Sequence, residues 1–178
     1  ASEAGLRAAR ACAAAIAQIG FTVISGYAKG VDTEAHGGAL QSGGKTVVVL
    51  AEGILRFRLK RSLEEELLSD RALIVSQFPP GQGWHVGAAM TRNGVIAALG
   101  SALVVIEARE TGGTLDAGIQ ALDLKRPVLA LQFESEPTPR GNELLVQKGA
   151  LPVRRPSELM AVQRDLSSNS RGQAVLFP

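Results

Sequence analysis

Ser25, Gly26, Lys29 and Gly30 fall within six residues of one another, and their types suit them to hold a phosphate. An apolar run, Phe21-Thr22-Val23-Ile24, precedes them and a helical pattern opens near Val31–Asp32. In that order the glycines let the backbone approach an anion closely, the helix start aims free N–H groups at it, and Lys29 adds a mobile positive charge. A nucleotide or a nucleic-acid backbone is the guest expected there. The plainer reading is that Gly26 and Gly30 only turn the chain and that Lys29 is a solvated lysine. A second block favours the first reading. Ala102–Ala108 reads as a buried strand, and beyond Arg109-Glu110-Thr111 a Gly112-Gly113-Thr114 turn opens another helix. In an open parallel sheet both turns would lie outside the carboxyl ends of strands, where ligands collect.

Other reactive residues are few. Arg92 is the only basic residue of its helical pattern, and is either a bidentate phosphate clamp or the partner of a carboxylate such as Glu107. Asp32 and His36 are four apart, hence on one helix face, the spacing of an acid–base pair. A carboxylate beside a phosphate repels it, so a structural role as helix cap is the preferred reading of Asp32. One cysteine and two distant histidines, His36 and His85, offer no metal-ligand spacing, so no metal site is expected. Without a Gly-x-Ser-x-Gly elbow or a lysine-bearing Walker turn, serine hydrolases and P-loop NTPases are excluded at the level of motif. The densest basic run, Arg56, Arg58, Lys60 and Arg61 around Phe57, reads as a solvated loop, with backbone tracking and base stacking as the alternative. Trp84, in the loop ahead of Arg92, either stacks on a base or plugs the sheet edge.

The elements that must position these residues alternate. Leu6, Ala9, Ala13, Ile16 and Ile19 recur at helical steps and Gly20 follows as a stop. Strands are predicted at about 21–25, 45–50, 72–78, 102–107 and 127–132, each rich in Val, Ile or Leu and able to be buried on both faces. Helices are predicted near 62–70, with Ser62 and Glu65 in capping-box spacing, near 86–99 and near 114–124. The alternation predicts an α/β fold, a Rossmann-like doubly wound, mostly parallel sheet with helices on both faces. Such folds usually begin with a strand whereas this chain opens on a helix, so the sheet is expected to lack its first strand. One main domain is expected over 1–158, with a helix end and flexible tail of linker composition over 159–178.

With 178 residues, 46% of them apolar, the chain can bury a sizeable core, and its single Cys12 on a helical pattern reads as a small core residue in a reducing, cytoplasmic setting. No apolar run approaches the roughly 20 residues of a membrane-spanning helix. A formal net charge of +2 does not by itself imply a polyanionic partner.

These residues resemble the DNA-processing protein A family, also called DprA or Smf, from about Ser2 to Glu158. The family string Ser-Gly-x-Ala-Arg/Lys-Gly-Ile/Val-Asp-x-x-Ala-His is met by Ser25, Gly26, Ala28, Lys29, Gly30, Val31, Asp32, Ala35 and His36, continued by Gly38-Ala39-Leu40. Gly44-Lys45-Thr46-Val47, Arg92-Asn93, Glu107-Ala108, Gly112-Gly113-Thr114-Leu115 and Gly141-Asn142-Glu143-Leu144-Leu145 follow in the family's order. The resemblance implies a Rossmann-like domain that binds single-stranded DNA without catalytic turnover or cofactor, dimerises, and helps load the RecA recombinase in natural transformation and recombination. It places Ser25, Gly26, Lys29, Gly30, Arg92, Asn93, Gly112, Gly113 and Thr114 on the DNA, with Asp32, His36 and Glu107 in support.

The chain also departs from the family pattern. The opening strand, which in relatives ends in a Gly-Ser/Thr-Arg motif, is absent. Gly94 stands where relatives carry arginine, Gly112 replaces the usual serine, and Asp116 adds an acid. The competing reading is a small-nucleotide sensor or a phosphoribohydrolase like the lonely-guy cytokinin-activating enzymes, whose Gly-Gly-x-Gly-Thr turn the 112–114 block partly resembles, with Glu107 or Asp116 as acid. A third reading is self-association or recombinase docking, with Leu144, Leu145 and Leu151 either at an interface or in the core.

Overall fold

The computed structural model describes residues 1–134, 137–155 and 157–159. Apart from Leu159, the expected helix end and tail over 159–178 lie outside the described residues. The elements run α1 Glu3–Gln18, β1 Val23–Ser25, α2 Val31–Gln41, β2 Thr46–Val49, α3 Glu64–Leu67, β3 Ala72–Val75, α4 Val86–Leu99, β4 Leu103–Val105, α5 Gly113–Asp123, β5 Val128–Leu131, α6 Arg140–Gln147 and β6 Leu151–Val153. Every strand pair is parallel. The fold is α/β and Rossmann-like, as the alternation predicts, but the strands form two three-stranded sheets, ordered β1-β2-β3 and β4-β5-β6, rather than one. β6 is an additional edge strand. Its sequence, Leu151-Pro152-Val153, carries no strand signal, because a proline within so short a run argues against a strand except at an edge.

The central strands β2 and β5 are apolar because they are covered on both sides, whereas Leu73 of β3 and Leu151 of β6 are exposed. All four residues of β5 are buried, and they alternate between two clusters: Val128 and Ala130 with Val105, Leu115 and Leu145, and Leu129 and Leu131 with Ala9, Cys12 and Ile106. These are the two faces of the second sheet. Helix α1 holds the halves together. Its Ala9 and Cys12 pack into the second sheet's cluster, while Ala13 and Ala17, one and two turns on, pack with Val23 of β1 and Ala39 of α2. Burial pushes the Cys12 thiol up to about 11, so at neutral pH it packs as an uncharged group.

Close approach of α1 to α2 requires the small residues of the Gly37-Gly38-Ala39 run. A Cβ on Gly38 would lie 2.4 Å from the Arg10 carbonyl oxygen, a backbone atom that cannot swing aside. Helix α1 begins where Ser2 Oγ accepts from Gly5 N, three residues ahead of the periodic signal, and ends in a Schellman turn: Phe21 N donates to Ile16 O and Gly20, at φ +90°, donates to Ala17 O. The capping box expected at Ser62 and Glu65 does not form. Ser62 lies in a 3₁₀ turn, Arg61–Leu63, and α3 starts after Leu63 with no side-chain cap.

Candidate nucleic-acid interface

The turn between β1 and α2 is held from within. Asp32 Oδ1 accepts from Ser25 Oγ at 2.9 Å and its Oδ2 from Ala28 N at 3.0 Å. The carboxylate thus ties the turn rather than capping the helix as expected. The cap position belongs to Gly30, at φ +103°, where a side chain would be strained, and no side chain covers the first-turn N–H groups of α2. Lys60, which reads in sequence as part of a solvated basic loop, straps the same turn from outside. Its Nζ donates to Tyr27 O at 2.8 Å, Ala28 O at 3.1 Å and Thr33 Oγ1 at 2.9 Å, and lies 4.1 Å from the Tyr27 ring centroid. Burial lowers the Lys60 pKa, opposed by the charge of Asp32. Phe57 of that loop packs on Tyr27 with ring centroids 4.9 Å apart, so it belongs to the core and is not free to stack on a base.

Two adjacent residues of α4 connect the two glycine turns. Arg92 is 8% exposed; its Nη1 donates to Val49 O at 3.0 Å, and the guanidinium lies so close beneath Gly26 that a Cβ there would meet Nη1 at 1.6 Å. The close approach that Gly26 permits is therefore to an arginine of its own chain. Burial lowers the Arg92 pKa, against the charge of Asp32. Asn93 reaches the other way, its Nδ2 donating to Gly113 O at 3.3 Å. Gly112, at φ +118°, caps α5 with no side-chain bond, so a second uncapped helix start faces the same edge. Ser25, Asp32, Asn93, Glu107 and Thr114 all line one cleft of about 460 Å³ between the sheets.

His36 is fully buried behind the first turn, with Nε2 2.6 Å from Gly26 O and Nδ1 2.7 Å from Thr46 Oγ1. A carbonyl only accepts, so Nε2 carries the proton, while Thr46 Oγ1 lies against Nδ1 and donates its one proton to Val23 O at 2.8 Å. This histidine positions Gly26 and does not face Asp32 as an acid–base pair. Burial lowers its pKa most, helped by the charges of Lys60 and Arg92 and opposed by the Gly26 bond and Asp32. The native state then binds fewer protons here than the unfolded chain, so stability is lost as pH falls below the ordinary histidine value of about 6.5 and is fully present above it. Urea unfolding at about pH 5, 6 and 7 is expected to show a slope of up to about 1.4 kcal/mol per pH unit that His36→Gln removes. An unchanged slope in that variant would show that His36 is not its source.

The remaining candidates are dispersed. Lys29 is exposed and reaches no partner among the described residues. Glu107 accepts from Ser2 N at 2.9 Å and from the Ser2 hydroxyl, fixing the start of α1 to the end of β4; it does not pair with Arg92. Trp84 is 61% exposed, and His85 caps α4 through Nδ1, accepting from Ala88 N. Leu145 is core, Leu144 packs against it, and Leu151 is exposed. Asn142, quoted in sequence only as part of a motif, is fully buried and makes three bonds: Oδ1 accepts from Ala108 N at 2.7 Å, and Nδ2 donates to Ile106 O at 2.8 Å and Leu131 O at 2.7 Å. It pins the end of β4, and with it the approach to the second turn, to β5. Its position inside the Gly141-to-Leu145 string was the only signal.

Parallel α/β topology, with two glycine turns beyond the carboxyl ends of β1 and β4, defines a Rossmann-like domain. The chain belongs to the DNA recombination-mediator protein A family, which matches residues 1–163. Protein Smf of Synechocystis is 34% identical over 129 residues, 71% of this chain and 32% of that protein. The DNA processing protein DprA of Streptococcus pneumoniae is 33% identical over 147 residues, 79% of this chain and 51% of that one. The chain thus spans a third to a half of the length of these relatives. The solved Streptococcus pneumoniae DprA superposes with a TM-score of 0.79 at 28% identity, over 90% of this chain and 57% of that one. DprA from Helicobacter pylori, described for its single-stranded DNA binding mode, gives 0.78 at 20% identity over 93% and 76%. A molybdenum cofactor carrier protein of Chlamydomonas reinhardtii shares the fold alone, with 0.69 at 20% over 94% and 91%.

Proposed function

We propose that this domain binds single-stranded DNA through its phosphates, reading little sequence, as part of a DNA-processing protein that hands strands to a RecA-type recombinase. The observation that carries the reading is that consecutive Arg92 and Asn93 reach the two glycine turns, Arg92 packed under Gly26 and bonded to Val49 O, Asn93 bonded to Gly113 O, each turn leading into an uncapped helix start. Each start presents N–H donors and a partial positive charge, and joining them fixes two phosphate-sized cradles relative to one another. Ser25, Gly26, Gly30, Gly112, Gly113 and Thr114 shape the cradles, Lys29 meets a phosphate as a mobile point charge, and buried Arg92 supplies positive potential from beneath the turn. Asp32, His36 and Glu107 support the frame and take no proton from a substrate, so the protein is a binder and not an enzyme. Family membership supports a cytoplasmic site of action and a homodimeric assembly, and exposed Trp84 offers a face for stacking.

The test is a fluorescence-anisotropy titration of a labelled oligonucleotide across a salt series. Each phosphate contact on a single strand adds about 0.7 to the magnitude of the log–log slope, so several contacts are expected to give a slope of about −2 or steeper. Lys29→Ala should lower it by about 0.7 and leave the thermal midpoint unchanged, because that exposed side chain makes no hydrogen bond or ion pair among the described residues. A slope near zero in folded protein would sink the reading.

A further inference from the structure

An ammonium group has three N–H donors, and those of Lys60 are all committed inside the protein. They go to Tyr27 O, Ala28 O and Thr33 Oγ1, at 2.8, 3.1 and 2.9 Å. Thr33 closes the set, because its hydroxyl accepts from Lys60 and passes its own proton to Ala28 O at 2.9 Å. The main chain of Lys60 takes the other end of Tyr27, its N–H donating to the phenol oxygen at 2.8 Å. No donor of Lys60 is left for a phosphate, although its charge and its place beside the first glycine turn would suit it to one.

What the ammonium holds decides where the amides of the turn point. In a planar trans peptide the C=O of one residue and the N–H of the next point in opposite directions. With Tyr27 O turned to Lys60, Ala28 N–H must point away from it, and it does so, donating to Asp32 Oδ2 at 3.0 Å. With Ala28 O turned to Lys60 as well, Lys29 N–H is sent to that same far side, where Asp32 and the uncapped first turn of α2 lie. Backbone N–H groups gathered on one side of a turn make an anion-binding concavity. Without the cation nothing opposes rotation of the Ala28–Lys29 peptide, which would set a carbonyl oxygen where a phosphate is to sit.

We propose that Lys60 is a positioning residue for strand binding: it touches no DNA, and by drawing the Tyr27 and Ala28 carbonyls to itself it holds the Lys29 amide and the start of α2 in the arrangement that receives a phosphate. The inference rests on the single-strand reading above. It divides the two lysines beside the first turn by role. Lys29 keeps its charge for the ligand, and Lys60 uses its charge on the carbonyls of the turn. A cradle ordered in advance binds more tightly because no conformational freedom is lost when the anion arrives, so removal of Lys60 falls on affinity and not on the number of phosphates neutralised.

The test compares two substitutions in the same chain. Lys60→Met keeps an unbranched stem and removes every donor, while Lys60→Arg keeps the charge but replaces three converging donors with a planar fork. Anisotropy of the labelled oligonucleotide is followed across the salt series, and amide exchange is followed in the free proteins. Both variants are expected to bind about tenfold or more weakly at every salt concentration, with the log–log slope of the unaltered chain, whereas Lys29→Ala lowers that slope by about 0.7. In the free proteins, exchange of the Ala28 amide is expected to quicken by about tenfold or more, because the turn that offers it to Asp32 is no longer held. Thr33→Val, which takes away one acceptor and leaves the ammonium in place, should act in the same direction and carries the test if the Lys60 variants do not fold. A slope lower by about 0.7 in Lys60→Met would put Lys60 on a phosphate and overturn the proposal. Full affinity in folded Lys60→Arg, which would make charge alone sufficient, would overturn it as well, as would an unchanged Ala28 amide. Failure of the unaltered chain to bind in a salt-dependent way is a separate result, seen before any substitution, and would remove the single-strand reading and this inference together.

Discussion

Asn142→Ala is expected to destabilise the domain by about 3–5 kcal/mol, a large share of the 5–15 kcal/mol that a domain of this kind possesses. The side chain is wholly buried and all three of its hydrogen-bonding positions in use are saturated by backbone. Alanine leaves Ala108 N–H without an acceptor and the carbonyls of Ile106 and Leu131 without that donor, in a place where each unpaired group costs about 1–3 kcal/mol. Water entering the space left behind recovers some of this, which is why the expectation is below the simple sum. Asn142→Asp separates shape from hydrogen bonding. It keeps the volume and can still accept from Ala108 N, but as a carboxylate it turns negative oxygen toward two carbonyls, so it should be at least as damaging at neutral pH. It should recover part of the loss as acid restores a donor. Urea midpoints of the three proteins at two pH values decide the matter; a loss under about 1 kcal/mol for both variants would show that the three bonds do not hold the end of β4.

The contrast between Asn142 and the strands shows what the sequence could convey. Strands β2 and β5 were legible because burial on both faces demands unbroken Val, Ile and Leu, and Val48, Val49, Val128 and Leu129 are all buried; β1, β3 and β4 carry the same apolar runs although Leu73 of β3 is exposed. The first-turn glycines were legible because only glycine tolerates the φ of +103° at Gly30, and a strand, a glycine and a helix in succession imply such a position. Side-chain bonds between distant segments were not legible. Nothing local distinguishes Lys60, which straps a turn 33 residues away, from Arg58, which bonds only its own loop. Ser2 and Glu107 are 105 residues apart, and neither carries a motif for the other. The alternation of elements also could not reveal that the sheet is divided, because each strand-helix unit looks the same whether or not its first strand has a neighbour. The helical opening of the chain was the one hint.

Gly26→Ala is the substitution expected to damage the candidate interface most. The new methyl would stand 1.6 Å from Arg92 Nη1, and for the guanidinium to move aside it must give up its bond to Val49 O. Either the arginine is expelled from its site, losing that bond, or the turn lifts and strains His36 Nε2–H···O=C Gly26 on its other side. Both routes move the first cradle relative to the second, because Arg92 and Asn93 are consecutive. A loss of about 2–4 kcal/mol in stability and of tenfold or more in oligonucleotide affinity is expected. The cause can be isolated by a double-mutant cycle. Arg92→Ala alone should be destabilising and should weaken binding, but it clears the space into which the Gly26→Ala methyl projects. In that background the second substitution should cost little, giving a coupling of about 1–3 kcal/mol between the two positions. Additive losses would mean that Gly26 is required for its own backbone geometry and not for the arginine beneath it. The arginine would then no longer connect the first glycine turn to the second.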